Sequence, residues 1–244
     1  MKLSVAEDFF SIQGEGKYIG YPALFIRLAG CNLMCGGMGT QFDNELHDAT
    51  WRCDTIEVWM KGKSKDTQEY ADYIRDTYKK YLKPNTHIIV TGGEPTMQQE
   101  AIVNFLNSLK RWSYFIEIET NATIVPTKEF NLAVDHYNLS PKLSNSGNPK
   151  SVRLVPHALE YFSANPKSTW KFVISNEDDL KEAEEDFIFP YHLNRFDNIW
   201  LMPSASTQKE YEQNAPLVAE LCKEKGYKFS SRLQVNIWNE TTGV

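Results

Sequence analysis

Three of the four cysteines lie in one stretch. Cys31 and Cys35 are four residues apart, and Cys53 follows with Asp54-Thr55 directly behind it. Thiolates are the soft ligands that hold iron–sulfur clusters or zinc. Three of them around one centre leave a position open, and an open position is where chemistry happens. The intervening residues 36–52 do not forbid this, because closure entropy grows only with the logarithm of loop length. The spacing leaves a second reading open: two buried cysteines and an unrelated third, since free cysteine is often a small core residue. Cys222 is of that core kind, four residues after Val218 and beside Leu221 on an apolar helical face.

Further candidates sit at the ends of apolar runs. Gln13-Gly14-Glu15-Gly16 is a glycine turn ahead of the run 23–26 that leads into Cys31. Thr91-Gly92-Gly93-Glu94-Pro95 follows the β-branched run 87–90 and precedes a helical pattern. Ligands of parallel α/β folds bind at such strand ends, and glycine lets a ligand approach the backbone. The same string also serves as an ordinary strand-to-helix turn. Glu117 and Glu119 share one face of a strand by alternation, suited to ligand hydroxyls or amines, or equally to a solvated strand end. Ser140-Pro141-Lys142 follows another strand and by itself reads as a turn. His47, His87, His136, His157 and His192 are scattered, none at zinc-site spacing with another, which lowers the case for a His-ligated metal.

The elements that must position these residues alternate along the chain. Strands are expected over 23–28, 87–90, 114–119, 132–139, 170–174, 199–202 and 227–235. Helices are expected over 66–81, 98–109, 156–163 and 208–225, the last with Leu217, Val218, Leu221 and Cys222 inward. Ser175 is expected to cap a further, acidic helix running to 185. Repeated βα units argue for a parallel sheet wrapped by helices. Six or seven strands are too few for a closed eight-stranded barrel, so the expected fold is α/β, an incomplete TIM-like βα barrel. Residues 36–52, polar and Gly-containing, read as an inserted loop within a single domain over 1–244.

Bulk properties narrow the class. The 244 residues suit one large α/β domain, and 41% apolar content excludes a disordered chain. Asp and Glu number 32 against 26 Lys and Arg, a net charge of −6, which argues against a nucleic-acid phosphate tracker. The first twelve residues carry Glu7 and Asp8 and no secretory pattern, and no run approaches the ~20 apolar residues of a membrane span. Free thiols without an export signal point to a cytoplasmic protein whose cysteines bind metal or do redox chemistry.

Taken together, these strings resemble the radical S-adenosylmethionine superfamily and, within it, the 7-carboxy-7-deazaguanine synthase family. The resemblance is carried by Phe10-Ser11-Ile12-Gln13-Gly14-Glu15-Gly16, by Gly20-Tyr21-Pro22-Ala23-Leu24-Phe25-Ile26-Arg27-Leu28-Ala29-Gly30-Cys31-Asn32, and by Cys53-Asp54-Thr55. Thr91 through Pro95, Glu119-Thr120-Asn121, Ser140-Pro141-Lys142 and the tail with Arg232-Leu233-Gln234, Trp238 and Gly243-Val244 agree in order and spacing. Two departures stand out. The usual Cys-x3-Cys-x2-Cys keeps its first gap, but the third cysteine comes only at Cys53, matched through Trp51-Arg52-Cys53-Asp54-Thr55. Gln234 stands where many members have histidine.

The resemblance implies a partial barrel of the radical S-adenosylmethionine type and a lyase that converts 6-carboxy-5,6,7,8-tetrahydropterin to 7-carboxy-7-deazaguanine with loss of ammonia, on the path to queuosine and related deazapurines. It implies that Cys31, Cys35 and Cys53 hold a [4Fe–4S] cluster, whose open iron takes S-adenosylmethionine as the source of a 5′-deoxyadenosyl radical. By the same resemblance Arg52, Asp54, Gly92, Gly93, Glu94, Ser140, Pro141 and Lys142 contact S-adenosylmethionine. Ile12, Gln13, Gly14, Glu15, Arg27, Thr91 and Glu119 contact the pterin, with Arg27 on its carboxylate. Thr55 is implied to hold Mg2+, with a capping hydroxyl as the alternative. A homodimer and a flavodoxin- or ferredoxin-type electron donor are implied as well. The competing readings are another small radical enzyme, such as a glycyl-radical activase, or a non-catalytic iron–sulfur or zinc-binding module.

Overall fold

A computed structural model of the chain describes residues 1–109, 114–195, 197–241 and 243; Val244, expected to match the family's tail, lies outside them. The strands are β1 (Lys2–Ile12), β2 (Pro22–Leu28), β3 (Lys63–Asp66), β4 (His87–Gly92), β5 (Phe115–Thr120), β6 (His136–Leu139), β7 (Ser168–Ile174), β8 (Ile199–Pro203) and β9 (Lys228–Phe229). They form one sheet in the order β3-β1-β2-β4-β5-β6-β7-β8-β9. From β2 onward the neighbours are parallel, while β1 runs antiparallel to both β2 and β3. The sheet is not closed, and the architecture is the open, partial βα barrel expected.

The helices are α1 (Thr40–Asp43), α2 (Ile56–Trp59), α3 (Thr67–Thr77), α4 (Gln99–Ser108), α5 (Lys128–Ala133), α6 (Lys150–Arg153), α7 (Pro156–Ala164), α8 (Glu177–Ala183), α9 (Gln208–Lys225) and α10 (Leu233–Trp238). No helix among the described residues is long and apolar enough to cross a membrane. Strand alternation divides the sheet into two unlike faces. Leu24, Ile26, Ile88, Val90, Ile116, Ile118, Tyr137, Leu139, Trp170 and Phe172 point outward into the main core. There they meet Ile74 of α3, Phe105 of α4, Phe162 of α7, Leu180 of α8 and Val218 of α9. On the inner face Phe9, Ala23, Phe25 and Ile89 form a small apolar cluster. Thr91, Glu117, Glu119, Asn138 and Lys171 also point inward, with Val173 and Met202 beside them at the open end.

Several expectations need correction. Residues 132–135 are not strand: α5 runs to Ala133 from its Thr127 cap, Leu132 is exposed, and pairing starts at His136. Only Lys228–Phe229 of 227–235 pairs with β8, because Leu233 already opens α10. The acidic helix is capped by Asn176, whose side chain accepts from the Asp179 amide at 2.9 Å, not by Ser175. Leu217 is exposed over about a third of its surface, at 37%, while Val218, Leu221 and Cys222 are buried as expected. β1, an eleven-residue strand, was not anticipated, since Glu7-Asp8 followed by Phe9-Phe10 breaks the alternation that betrays a strand. The helix expected over 98–109 begins as a 3-10 turn at Pro95–Gln98 and becomes α-helical at Gln99.

Residues 36–52 fold against the turn that follows β6. The Gly36 amide donates to the Ser146 carbonyl at 3.0 Å, the Thr50 amide to the Asn145 carbonyl at 2.9 Å, and the Trp51 indole to Asn145 Oδ1 at 2.9 Å. Ile26 of β2 is fully buried between the sheet and the helices. Ile26→Ala is expected to cost about 2–5 kcal/mol through lost transfer energy and the residual cavity, read as a lower urea midpoint at unchanged m-value.

Candidate active site

A cavity of about 580 Å³ opens at the C-terminal ends of the parallel strands. Cys31, Cys35 and Cys53 all line it. The loop that carries the first two is tied down on several sides. Gly30 O accepts from the Glu94 amide at 2.8 Å, and Leu28 O from the Gly93 amide at 3.0 Å. Asn32 donates to Thr123 Oγ1 at 2.8 Å and accepts from Asn121 at 2.9 Å. Asn148 Oδ1 accepts from the Met34 amide at 2.9 Å. The Cys53 amide donates to Cys35 O at 3.2 Å, which places the third thiol beside the first two despite the insertion.

Burial pushes the Cys31 thiol up to about 12 and the Cys35 thiol up to about 11, so without a metal both stay protonated at neutral pH. Among the described residues no three His, Cys, Asp or Glu side chains gather tightly enough to clasp a single ion. A cubane cluster asks for a different arrangement, because each thiolate meets its own iron and the sulfurs stand apart. Three soft donors facing one cavity therefore fit an iron–sulfur cluster better than a zinc ion.

Most of the residues singled out in the sequence meet at this cavity. Ile12, Gln13, Gly14, Glu15, Arg27, Arg52, Asp54, Thr55, Thr91, Gly92, Gly93, Glu119, Ser140 and Lys142 line it; Glu94 and Pro141 do not. Glu94 is completely buried, and its carboxylate accepts from the Thr96 amide at 2.9 Å, Thr96 Oγ1 and Thr120 Oγ1 at 2.6 Å, and the Asn121 amide at 2.8 Å. It fastens the turn after β4 to the end of β5. Gly93 must be glycine, because a Cβ there would stand 1.7 Å from Gly30 O.

The residues expected on the pterin side form a connected set. Gln13 Nε2 donates to Glu117 Oε1 at 2.9 Å and to Glu119 Oε1 at 3.1 Å, and Thr91 Oγ1 donates to Glu119 Oε2 at 2.6 Å. Arg27 Nε donates to Glu7 Oε1 at 2.7 Å. Arg52 turns toward the inserted loop, donating to Thr40 and Asn44 and pairing with Glu57 at 2.6 Å. Lys142 Nζ donates to Ser140 Oγ at 2.9 Å, and the Thr55 hydroxyl lies 3.5 Å from Cys53 Sγ.

Sequence reasoning missed Lys171, Asn138 and the charge role of Arg232. Lys171 was readable as the one cation inside the apolar run Trp170-Lys171-Phe172-Val173-Ile174. It ion-pairs with Glu15, which also takes Arg232 Nε at 3.0 Å and Gln234 Nε2 at 2.7 Å. Arg232 reaches on to Asp54 at 2.6 Å. Burial alone would raise the Glu15 carboxyl, but the Lys171 ammonium and then the Arg232 guanidinium overcome it and hold it far below its ordinary value.

Residues 12–122 match the family described as a 4Fe-4S single cluster domain. The chain is 31% identical over 242 residues to the 7-carboxy-7-deazaguanine synthase of Pyrobaculum aerophilum, covering 99% of this chain and 97% of that one. It is 30% identical over 258 residues to the enzyme of that name from Halobacterium salinarum, covering 98% and 91%. The crystal structure of QueE from Escherichia coli shares the fold, with a TM-score of 0.66 at 22% identity over 96% of this chain and 95% of that one. An open βα barrel with three thiols at its strand ends and an iron–sulfur domain match defines an iron–sulfur enzyme. Within that class, the chain belongs to the 7-carboxy-7-deazaguanine synthase family.

Two outcomes test this geometry. Gly93→Ala is expected to push the cysteine loop off β4, lowering iron and sulfide content after reconstitution and the thermal midpoint together. Glu15, with its carboxyl depressed in the folded state, contributes stability that is full above about pH 4.5, its ordinary value, and is lost as pH falls below it. Glu15→Gln, which leaves two buried cations short of a partner, is expected to cost about 3–5 kcal/mol at pH 7 and to flatten that acid limb in denaturant titrations.

Proposed function

We propose that this chain is a lyase that converts 6-carboxy-5,6,7,8-tetrahydropterin to 7-carboxy-7-deazaguanine with loss of ammonia, using a [4Fe–4S] cluster and S-adenosylmethionine. The observation that carries the reading is one cavity in which three thiols face a wall of Arg27, Thr91, Glu119 and Gln13. A bound cluster with S-adenosylmethionine supplies a carbon radical able to take a hydrogen atom from the substrate; the protein's work is to place and shield it.

Cys31, Cys35 and Cys53 would hold the cluster. Gly92 and Gly93 offer a close backbone approach, and Arg52 and Asp54 flank the third thiol, which suits the amino-acid end of S-adenosylmethionine. Ser140 and Lys142 stand on the other side for its nucleoside. Glu94 and Pro141 fit a supporting role better, Glu94 because its carboxylate is already spent on Thr96, Thr120 and Asn121.

On the pterin side, Arg27 keeps one N–H on Glu7 and carries further N–H groups in a fork that matches a carboxylate. Glu119, steadied by Thr91 and Gln13, would accept from the ring's N–H edge. Gly14 brings backbone close to the same space. Glu15 acts here by tethering that loop rather than by touching substrate. Thr55 supplies a hard oxygen suited to Mg2+. A flavodoxin- or ferredoxin-type electron donor, a homodimer and a cytoplasmic setting that keeps the free cysteines reduced complete the proposal.

The test is anaerobic reconstitution with iron and sulfide, then dithionite, S-adenosylmethionine, Mg2+ and the pterin, with mass spectrometry for 7-carboxy-7-deazaguanine. Formation of 5′-deoxyadenosine without deazaguanine would overturn the substrate assignment. Arg27→Ala is expected to lose about 2–5 kcal/mol of transition-state binding in kcat/KM while its cluster absorbance stays intact. Cys53→Ala is expected to lose the cluster itself.

A further inference from the structure

Below the cavity lies a carboxyl for which the proposed reaction has no use. Glu117 sits in the middle of β5, is 1% exposed, and points into the barrel on the same face as Glu119. It does not line the cavity. Its Oε1 accepts from Gln13 Nε2 at 2.9 Å and from Asn138 Nδ2 at 3.5 Å, while its Oε2 is buried without a partner among the described residues. The Gln13 nitrogen that holds Glu117 also holds Glu119. One amide thus bridges two carboxyl groups in a dry interior, where two full negative charges side by side are unfavourable.

Among the described residues, nothing packed around Glu117 supplies a free cation to offset a second charge. Glu119 faces it from β5, Asn138 from β6 and Lys171 from β7. Gln13 and Glu15 come from the loop after β1, and the Tyr18 phenol lies in the same loop. Lys171 is already paired with Glu15, which in turn binds Arg232.

We propose that Glu117 retains its proton in the working enzyme and is the positioning residue of the cavity floor, leaving Glu119 as the single negative charge offered to the N–H edge of the substrate. The proposal rests on the pterin reading given above. Neutral Glu117 can accept from Gln13 without competing for a cation. Gln13 then fixes Glu119 from one side as Thr91 fixes it from the other. Ionised Glu117 would draw Gln13 away, repel Glu119, and add a second charge beneath a substrate that brings its own carboxylate.

Burial first, and the Glu119 charge second, push the Glu117 carboxyl up to about 8 from 4.5, against the hydrogen bonds from Gln13 and Asn138. Between those two values the unfolded chain has released a proton that the folded protein still holds. Folded stability therefore falls as pH rises through that window and levels off above about 8, the opposite sense to Glu15.

The experiment uses the reconstituted holoenzyme. Infrared spectra of the wild type are expected to show a protonated-carboxyl band that fades as pH rises through about 8 and is missing from Glu117→Gln. In kinetics across about pH 5–10, the wild-type KM for the pterin is expected to rise about tenfold per pH unit above that value, the slope of a single proton, with kcat changing less. Glu117→Gln, neutral at every pH, is expected to lose this alkaline limb, and Glu117→Ala to raise KM at neutral pH.

A wild-type spectrum without the band overturns the inference, and needs no variant to fold. A Glu117→Gln enzyme that makes deazaguanine with an unchanged alkaline limb overturns it too. If the band and the stability slope are present but no deazaguanine forms, Glu117 is protonated as inferred and it is the pterin reading that falls.

Discussion

The ion cluster around Glu15 is the interaction on which the site depends. An open sheet leaves its first and last strands far apart, so something else must bring the two sides of the cavity together. Glu15 lies in the loop after β1; Lys171 belongs to β7 and Arg232 opens α10. Their pairing draws the loop after β1 across the barrel mouth. Arg232 carries the link on to Asp54, the neighbour of the third thiol. Backbone bonds reinforce it, from the Leu233 amide to Gly14 O at 2.9 Å and from the Gly16 amide to Ser230 Oγ at 2.8 Å. Buried charges are poor general stabilisers because desolvation offsets their attraction. Their value here lies in geometry: removing Glu15 strips Lys171 of its carboxylate and leaves Arg232 only Asp54, so this one closed arrangement is strongly favoured.

The two faces of the sheet divide the labour. The outer face is continuous with the helices and supplies the hydrophobic energy that holds the fold. The inner face could not be filled the same way without losing the cavity. Phe9, Ala23, Phe25 and Ile89 pack part of its floor, and polar groups bonded to one another occupy much of the rest. Polar residues in a barrel interior cost desolvation unless they are hydrogen-bonded. The chain from Thr91 through Glu119, Gln13 and Glu117 to Asn138 meets most of that requirement, with Glu117 Oε2 and Asn138 Oδ1 left without a partner among the described residues.

The legible parts of the sequence were those with a local signature. β2, β4, β5, β7, β8 and α9 announce themselves by apolar runs or three-and-four spacing, and the strand-end motifs follow from them. What sequence could not supply was pairing over distance. The role of Lys171 depends on Glu15, 156 residues away, and no window contains both. Glu94 shows the same limit: the motif gives no sign of the four donors that bind its carboxylate and fasten the turn after β4 to the end of β5. The tail misled for a third reason. Residues 227–235 carry strand-like apolar residues, but Leu233 is already committed to α10 by its bond to Gly14.

The wide gap between Cys35 and Cys53 follows from the same reasoning. A loop can lengthen at little entropic cost provided its ends stay fixed, and here both ends are. Gly36 is held by Ser146 and Cys53 by Cys35, while Thr50 and Trp51 are held by Asn145. Gly37 passes so close to the His47 carbonyl that a Cβ would stand 1.7 Å from it, which folds the insertion back on itself. The extra residues therefore project outward, with Met38 and Phe42 exposed, and the third thiol returns to the cavity. The spacing that looks like a departure in the sequence is absorbed outside the site, so three cysteines of unlike separation line one wall.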